Sequence, residues 1–262
     1  MPASTGSREW QAAVARLIAE DGPDGLSDAL IRVIDQVVDH SRVAMLGFSH
    51  DAPPVVLAHD LAPAEEKHYL QRYIAGPYLL DPLYQLALRQ DKPSHVRFRE
   101  ATPDRFRSSE YYRQYCERTH LEDELDFFLD LDGATLVLVV AKLSGRFSKA
   151  DIARLVDAEP IFHAAMRKLW ERSDDDSRDA SALSMHEHLT NCFRNFGAST
   201  LTQREREITQ LLLRGHSTKS IARELDIAPG TVMVHKRNLF AKLGITSQYE
   251  LFSRFIDTLS TP

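Results

Sequence analysis

Toward the C-terminus the chain carries four short amphipathic segments separated by residues that start and stop helices, and this punctuation constrains the fold more than any other feature. Thr202 followed three residues later by Glu205 is the signature of a capping box, in which each side chain satisfies a backbone N–H that the first turn leaves unpaired. Ile208, Leu211 and Leu212 form the apolar face of the helix that follows, and Gly215 ends it as a left-handed cap. Ser217 caps a second helix bearing Ile221, Ala222 and Leu225. The loop DIAP turns the chain, and Pro229 opens a third helix, where its missing N–H would have had no partner. A fourth, Ser247–Leu259, begins after Gly244.

The third helix has two dissimilar faces. At about 100° per residue, Val232, Leu239 and Leu243 point together with His235 beside them, toward the core of the cluster. Met233, Val234, Arg237 and Ala241 point the other way. A helix of this diameter fits the major groove of duplex DNA, where every base pair shows a distinct edge. Arg237 suits a bidentate contact to guanine, and Val234 and Met233 suit thymine methyl groups. Lys236 and Lys219 suit phosphates, which add affinity without sequence information; Thr218 adds a phosphate hydrogen bond, and Thr231, in the helix's first turn, completes the DNA-facing set.

Along its whole length the segment LTQREREITQLLLRGHSTKSIARELDIAPGTVMVHKRNLFAKLGITSQYELFSRFI resembles the LuxR/GerE-type helix-turn-helix regulators. The resemblance implies a transcription factor that binds double-stranded DNA, with RNA polymerase as a further partner. It also implies a homodimer paired through the fourth helix, which reads a pseudo-palindrome with half-sites about one helical turn apart. Leu251, Phe252, Phe255 and Ile256 either form that pairing face or belong to the internal core. Three positions depart from the family pattern: Thr218 stands where Asn is usual, Ala228 where Ser is usual, and Met233 where Lys is usual.

Charge agrees with a separate DNA-binding head. The chain of 262 residues has a net charge of −6, but from Ser199 onward it has nine Lys/Arg against six Asp/Glu, a balance of +3. Met1–Ala198 holds the remaining 23 basic and 32 acidic residues, a balance of −9. The two cysteines, Cys116 and Cys192, lie far apart with no metal-ligand spacing, so they are expected to be reduced thiols and no cofactor is expected. The start, MPASTGSREW, is unlike a signal peptide, and the longest apolar run, around Ala134–Ala141, is far shorter than the ~20 residues that span a bilayer. The expected compartment is the cytoplasm, with no membrane partner.

The polar stretch Ser173–Ser184, rich in Asp and Ser, reads as a linker, and MHEHLTNCFRNFG after it reads as a connector helix with Leu189, Cys192, Phe193 and Phe196 on one face. The expected division is therefore a regulatory domain over 1–172, linker and connector over 173–198, and the DNA-binding domain over 199–262. In the front domain, Trp10–Ala19 and Leu26–Val38 have helical spacing, and Val43–Ser49 and Val55–His59 read as strands. Helices are expected over Ala64–Ile74, Pro82–Gln90 and Glu110–Arg118, with a short strand at Val96–Arg99. In Glu122–Asp132, Leu125, Phe127, Leu129 and Leu131 alternate with Glu124, Asp126, Phe128 and Asp130, which predicts one core face and one acidic, solvated face. ATLVLVVA is apolar on both faces, and a helix capped by Ser148 runs toward Trp170, with Pro160 expected to kink or break it. The fold class is α+β: an α/β/α sandwich around an antiparallel sheet, then an all-α helix-turn-helix domain. That layout is similar to GAF/PAS-like sensors and to the autoinducer-binding half of LuxR-type receptors.

The second likeness centres on HYLQRYIAGPYLLDPLY, residues 68–84. Such receptors have a Trp and a Tyr four apart ahead of an Asp-Pro pair whose Asp accepts a hydrogen bond from the ligand amide. Tyr69, Tyr73 and Asp81-Pro82 match this arrangement, and the resemblance implies a ligand set of Tyr69, Tyr73, Tyr78 and Asp81. Tyr69 replaces the Trp, the interval from Tyr73 to Asp81 is one residue short, and no Trp follows Pro93. These departures point away from an acyl-homoserine lactone and toward a different small-molecule effector. Each residue also has a plainer reading: Asp81 caps the helix opened by Pro82, and the tyrosines edge the core. Glu122, Glu124 and Asp126 would suit a cationic ligand such as an amine, though a solvated strand face is the expected reading. The scattered histidines form no HExxH, and no GxSxG or phosphate-cradling glycine loop occurs, so an enzyme is not expected. Control by a protein partner, or constitutive action with no small-molecule ligand, is the alternative.

Overall fold

A computed structural model describes residues 7–173 and 180–259. The chain opens with α1 (Arg8–Ala19), capped by the Ser7 hydroxyl, and α2 (Pro23–Val37), with proline in its first turn. β1 (Arg42–Phe48) and β2 (Val55–His59) form a hairpin. A cover of short turns follows: α3 (Pro63–Glu66), a π turn over Lys67–Gln71, α4 (Arg72–Ile74), a 3-10 turn over Pro77–Leu80, and α5 (Pro82–Ala87). After β3 (His95–Arg97) come α6 (Phe98–Ala101), a 3-10 turn at Phe106–Ser108, a π turn at Tyr112–Cys116 and a 3-10 turn at Glu117–Thr119. β4 (Asp123–Leu131), β5 (Ala134–Lys142) and α7 (Lys149–Arg172) complete the front domain.

The five strands form one antiparallel sheet in the order β2-β1-β5-β4-β3. Residues directly opposite across a ladder point to the same face, so the register assigns two faces. Met45, Leu125, Phe127, Leu138 and Val140 share the first, packed with Leu30, Val33, Ile34 of α2 and Phe162, Met166 of α7 in one core. There Phe127 and Phe162 meet edge to face at 5.3 Å, worth about 1 kcal/mol beyond their buried area. Ala44, Leu46, Glu124, Asp126, Phe128, Val137 and Val139 share the second face, beneath the cover of short turns.

α8 (Ala180–Asn195) joins the front domain to a cluster of α9 (Gln203–Leu213), α10 (Thr218–Glu224), α11 (Pro229–Leu243) and α12 (Gln248–Leu259). Its Phe193 and Phe196 both meet Phe255 of α12 edge to face, at 5.5 and 5.7 Å. His186 faces the other way: its Nδ1 and the Tyr78 hydroxyl lie 2.7 Å apart. One continuous apolar cluster therefore runs from the second sheet face through α8 into the C-terminal helices.

Several expectations change. β4's acidic face is covered: Glu124 is 8% exposed and Asp126 fully buried, because the short turns between β2 and β4 fold back over it. α7 runs unbroken through Pro160, which sits on its exposed side, where water can take the freed carbonyl while Leu155, Ala158 and Phe162 hold the helix on the sheet. Of the expected linker Ser173–Ser184, residues 174–179 lie outside the described residues, and the chain is already helical from Ala180. The helix expected over Pro82–Gln90 stops at Ala87, and the one over Glu110–Arg118 divides into π and 3-10 turns. Leu251, Phe252 and Phe255 are buried within the chain and Ile256 is half-buried, so most of the expected pairing face is internal core.

Candidate functional site

Between the second sheet face and its cover lies a cavity of about 230 Å³. Its floor is sheet: Ala44 and Leu46 from β1, Val137 and Val139 from β5, and Glu124 from β4. Its cover supplies Tyr69 and Tyr73 from residues 67–74, Asp81 and Leu83 at the start of α5, and Phe98, Tyr111 and Cys116 from the segment after β3. Apolar walls with a few inward polar groups are how small-molecule sites are generally built.

Asp81 is fixed from two sides. One carboxylate oxygen accepts from the Leu83 amide at 2.9 Å as the N-cap of α5, and the other accepts from the Tyr73 hydroxyl at 2.7 Å. Burial pushes its carboxyl up to about 6, and the two hydrogen bonds limit that rise. Tyr73 is raised by burial and by the Asp81 charge. The capping and cavity readings of Asp81 therefore coexist, since its two oxygens do separate work. Glu124 is held far above the carboxylate range by burial and then by Asp81, and Asp126 by burial and then by Glu124. Neither Asp126 oxygen meets a hydrogen-bond donor of the protein.

Of the residues that the motif singles out, Tyr69, Tyr73 and Asp81 line the cavity, and the Arg42 guanidinium lies 4.7 Å over the Tyr69 ring. Tyr78 does not: its ring is buried against Tyr73 and Tyr84 and its hydroxyl is taken up by His186. Arg42, Phe98 and Tyr111 were missed, and Glu124, weighed for a cationic ligand, was expected on a solvated face. The register of β4 against β5 would have put Glu124 on the cavity face, but alternation alone cannot tell water from a covered cavity.

The C-terminal helices present a second surface. Thr202 and Glu205 form the expected capping box, with Lys242 Nζ 2.7 Å from the buried Glu205 carboxylate. Ser217 caps α10, Gly215 and Gly244 take the left-handed conformation, and Ala228 begins α11 without a side-chain cap. Val232, Leu239 and Leu243 are buried, while Met233 and Val234 stand 60% and 46% exposed beside exposed Thr231 and Arg237. Lys219 is exposed, Thr218 half-buried, and Lys236 half-buried with its ammonium 5.4 Å over the Phe240 ring.

Hydrogen bonds also join the two parts at the loop between α9 and α10. The Arg105 amide donates to the Gly215 carbonyl at 3.1 Å. The Asp104 carboxylate accepts from the Ser217 amide at 2.9 Å and from the Ser217 hydroxyl. Gly215 has φ +90, and a Cβ there would stand 2.9 Å from the Phe106 Cα, so both backbone shape and close docking require glycine.

The sequence profile described as "Bacterial regulatory proteins, luxR family" matches residues 199–255. The chain is 31% identical over 188 residues to an HTH-type transcriptional regulator of the exeN 3′ region of Aeromonas salmonicida, covering 69% of this chain and 95% of that one. The chain belongs to the LuxR family. A further relative, the monoamine regulon transcriptional regulator of Klebsiella aerogenes, is 25% identical over 92% of this chain and 95% of its own length. The crystal structure of the VqsR LBD domain from Pseudomonas aeruginosa superposes with a TM-score of 0.56 at 28% identity, over 64% of this chain and all of that domain. This LuxR-family protein is thus a transcriptional regulator with a DNA-binding helix-turn-helix, not an enzyme. Among the described residues no helix is long and apolar enough to cross a membrane.

Proposed function

We propose that this regulator recognises a specific operator through Thr218, Lys219, Thr231, Met233, Val234, Lys236 and Arg237, under control of a small molecule held in the cavity by Tyr69, Tyr73 and Asp81. The proposed units are a sensor over 1–172, a connector over 173–198 and a DNA-binding head over 199–262. One observation carries the control: the segment from Phe98 to Tyr111 lines the cavity at both ends, and between them Asp104 and Arg105 grip the loop that starts α10. An effector that reshapes this wall has a direct mechanical route to the head and can shift the population of a DNA-competent form. The likeness to the VqsR LBD domain over the front of the chain supports the sensing role. A homodimer reading two half-sites fits the family, with RNA polymerase as a partner at the promoter.

Selection from random duplexes by the full chain, with and without a cell metabolite extract, tests this. The expected result is enrichment of one sequence class whose retention changes with extract. Retention of all duplexes alike would refute operator recognition, and a selection indifferent to extract would favour control by a protein partner or constitutive binding.

A further inference from the structure

We propose that the cavity takes an organic ammonium ion, an amine on an apolar skeleton, whose N–H groups donate to the Glu124 carboxylate while Asp126 and Asp81 add negative potential. The inference rests on the cavity being the effector site and names the class of effector.

Glu124 lines the cavity, is more than nine-tenths buried, and among the described residues makes no ion pair; the group beside it is another carboxyl, Asp126. Asp126 is fully buried on the same strand face with no donor for either oxygen. Asp81 adds its charge but has both oxygens engaged, by Tyr73 and Leu83. Three carboxyls thus lie close enough to raise one another, and among the described residues none of the three makes an ion pair. Without a ligand, such groups avoid the cost of buried charge by retaining protons. An ammonium offers the missing donors and counter-charge together, and Glu124 releases its proton to water as the ion pair forms.

Other features of the cavity select among cations. Among the described residues no group of three or more His, Cys, Asp or Glu is arranged to hold a metal ion. The remaining walls are mostly aliphatic or aromatic, with Arg72, Thr119 and Cys116 as further polar groups, and the faces of Tyr69, Tyr73 and Tyr111 suit an alkylammonium. Arg42 also faces the cavity, but it sits across Ala141 from Glu124, two strand spacings or roughly 10 Å away, and its guanidinium is committed to Glu65 at 2.6 Å.

The test uses the full chain in thermal-shift and calorimetric titrations. The probes are primary amines from n-butylamine to n-dodecylamine and 2-phenylethylamine, each paired with the alcohol and the carboxylate of the same skeleton. At least one amine is expected to raise the unfolding midpoint while its alcohol and carboxylate do not. Glu124→Gln is expected to weaken that amine about tenfold or more and to leave any residual alcohol binding unchanged. Binding of alcohols or carboxylates in preference to amines overturns the ammonium assignment and leaves effector sensing standing. If no probe binds and Val139→Trp, which fills the cavity, leaves the extract response of DNA binding intact, both readings fall. Amine binding that survives both Glu124→Gln and Asp126→Asn would place the ion elsewhere and overturn the site.

Discussion

Asp126 shows what a single buried carboxyl beside another carboxyl does to the energetics of this fold. Its carboxyl is raised by burial first and by Glu124 next, with Asp81 contributing. A carboxyl raised above its unfolded value near 4 stabilises the fold fully only below that value, and the contribution is lost as pH rises through the folded one. Asp126→Asn is therefore expected to raise the urea midpoint of the ligand-free chain, by on the order of 1–3 kcal/mol at pH 8 and by much less at pH 5. An equal gain at both values would mean that the carboxyl titrates normally. On the other surface, exposed Arg237 projects from α11 beside Val234. Arg237→Ala is expected to cost about 1–3 kcal/mol in operator affinity and to relax preference at one base pair. Binding assays on single-base operator variants check this, and a uniform loss across all variants would reduce Arg237 to a phosphate contact.

At the scale of elements, α11 begins at Ala228 with a backbone shaped for capping (φ −69, ψ 143) and no side chain to perform it. Ala228→Ser is expected to stabilise the chain by about 1 kcal/mol, read as a shift in denaturant midpoint with an unchanged slope. The C-terminal helices were legible from sequence because their signals are local: Thr202 with Glu205, Ser217, Pro229 and Gly244 each act within a few residues of where they stand. β4 and β5 were legible as strands for the same reason. The environment of β4 was not, since Glu124 and Asp126 alternate in the same way whether water or the chain between β2 and β4 covers them. The cover resisted reading because its π and 3-10 turns have no period that propensity detects. Tyr73 and Asp81 were found through motif spacing, whereas Tyr78, in the same motif, was claimed by His186, 108 residues away.

Across the whole molecule, the front of the chain holds the C-terminal helices through Asp104, whose carboxylate occupies both the amide and the hydroxyl of Ser217 at the start of α10. Thr218 and Lys219, expected at phosphates, follow immediately. Asp104→Ala is expected to loosen this docking and raise the DNA affinity of the ligand-free chain several-fold, measured by fluorescence anisotropy on the selected operator. An unchanged affinity would show that the contact does not restrain the head. The Phe98–Tyr111 segment gives this arrangement an evolutionary consequence, because one stretch of chain is both wall and handle. Under the proposed control, substitutions that retune which molecule fits also alter how firmly the head is held at rest, so effector preference and basal transcription will drift together in descendants of this gene.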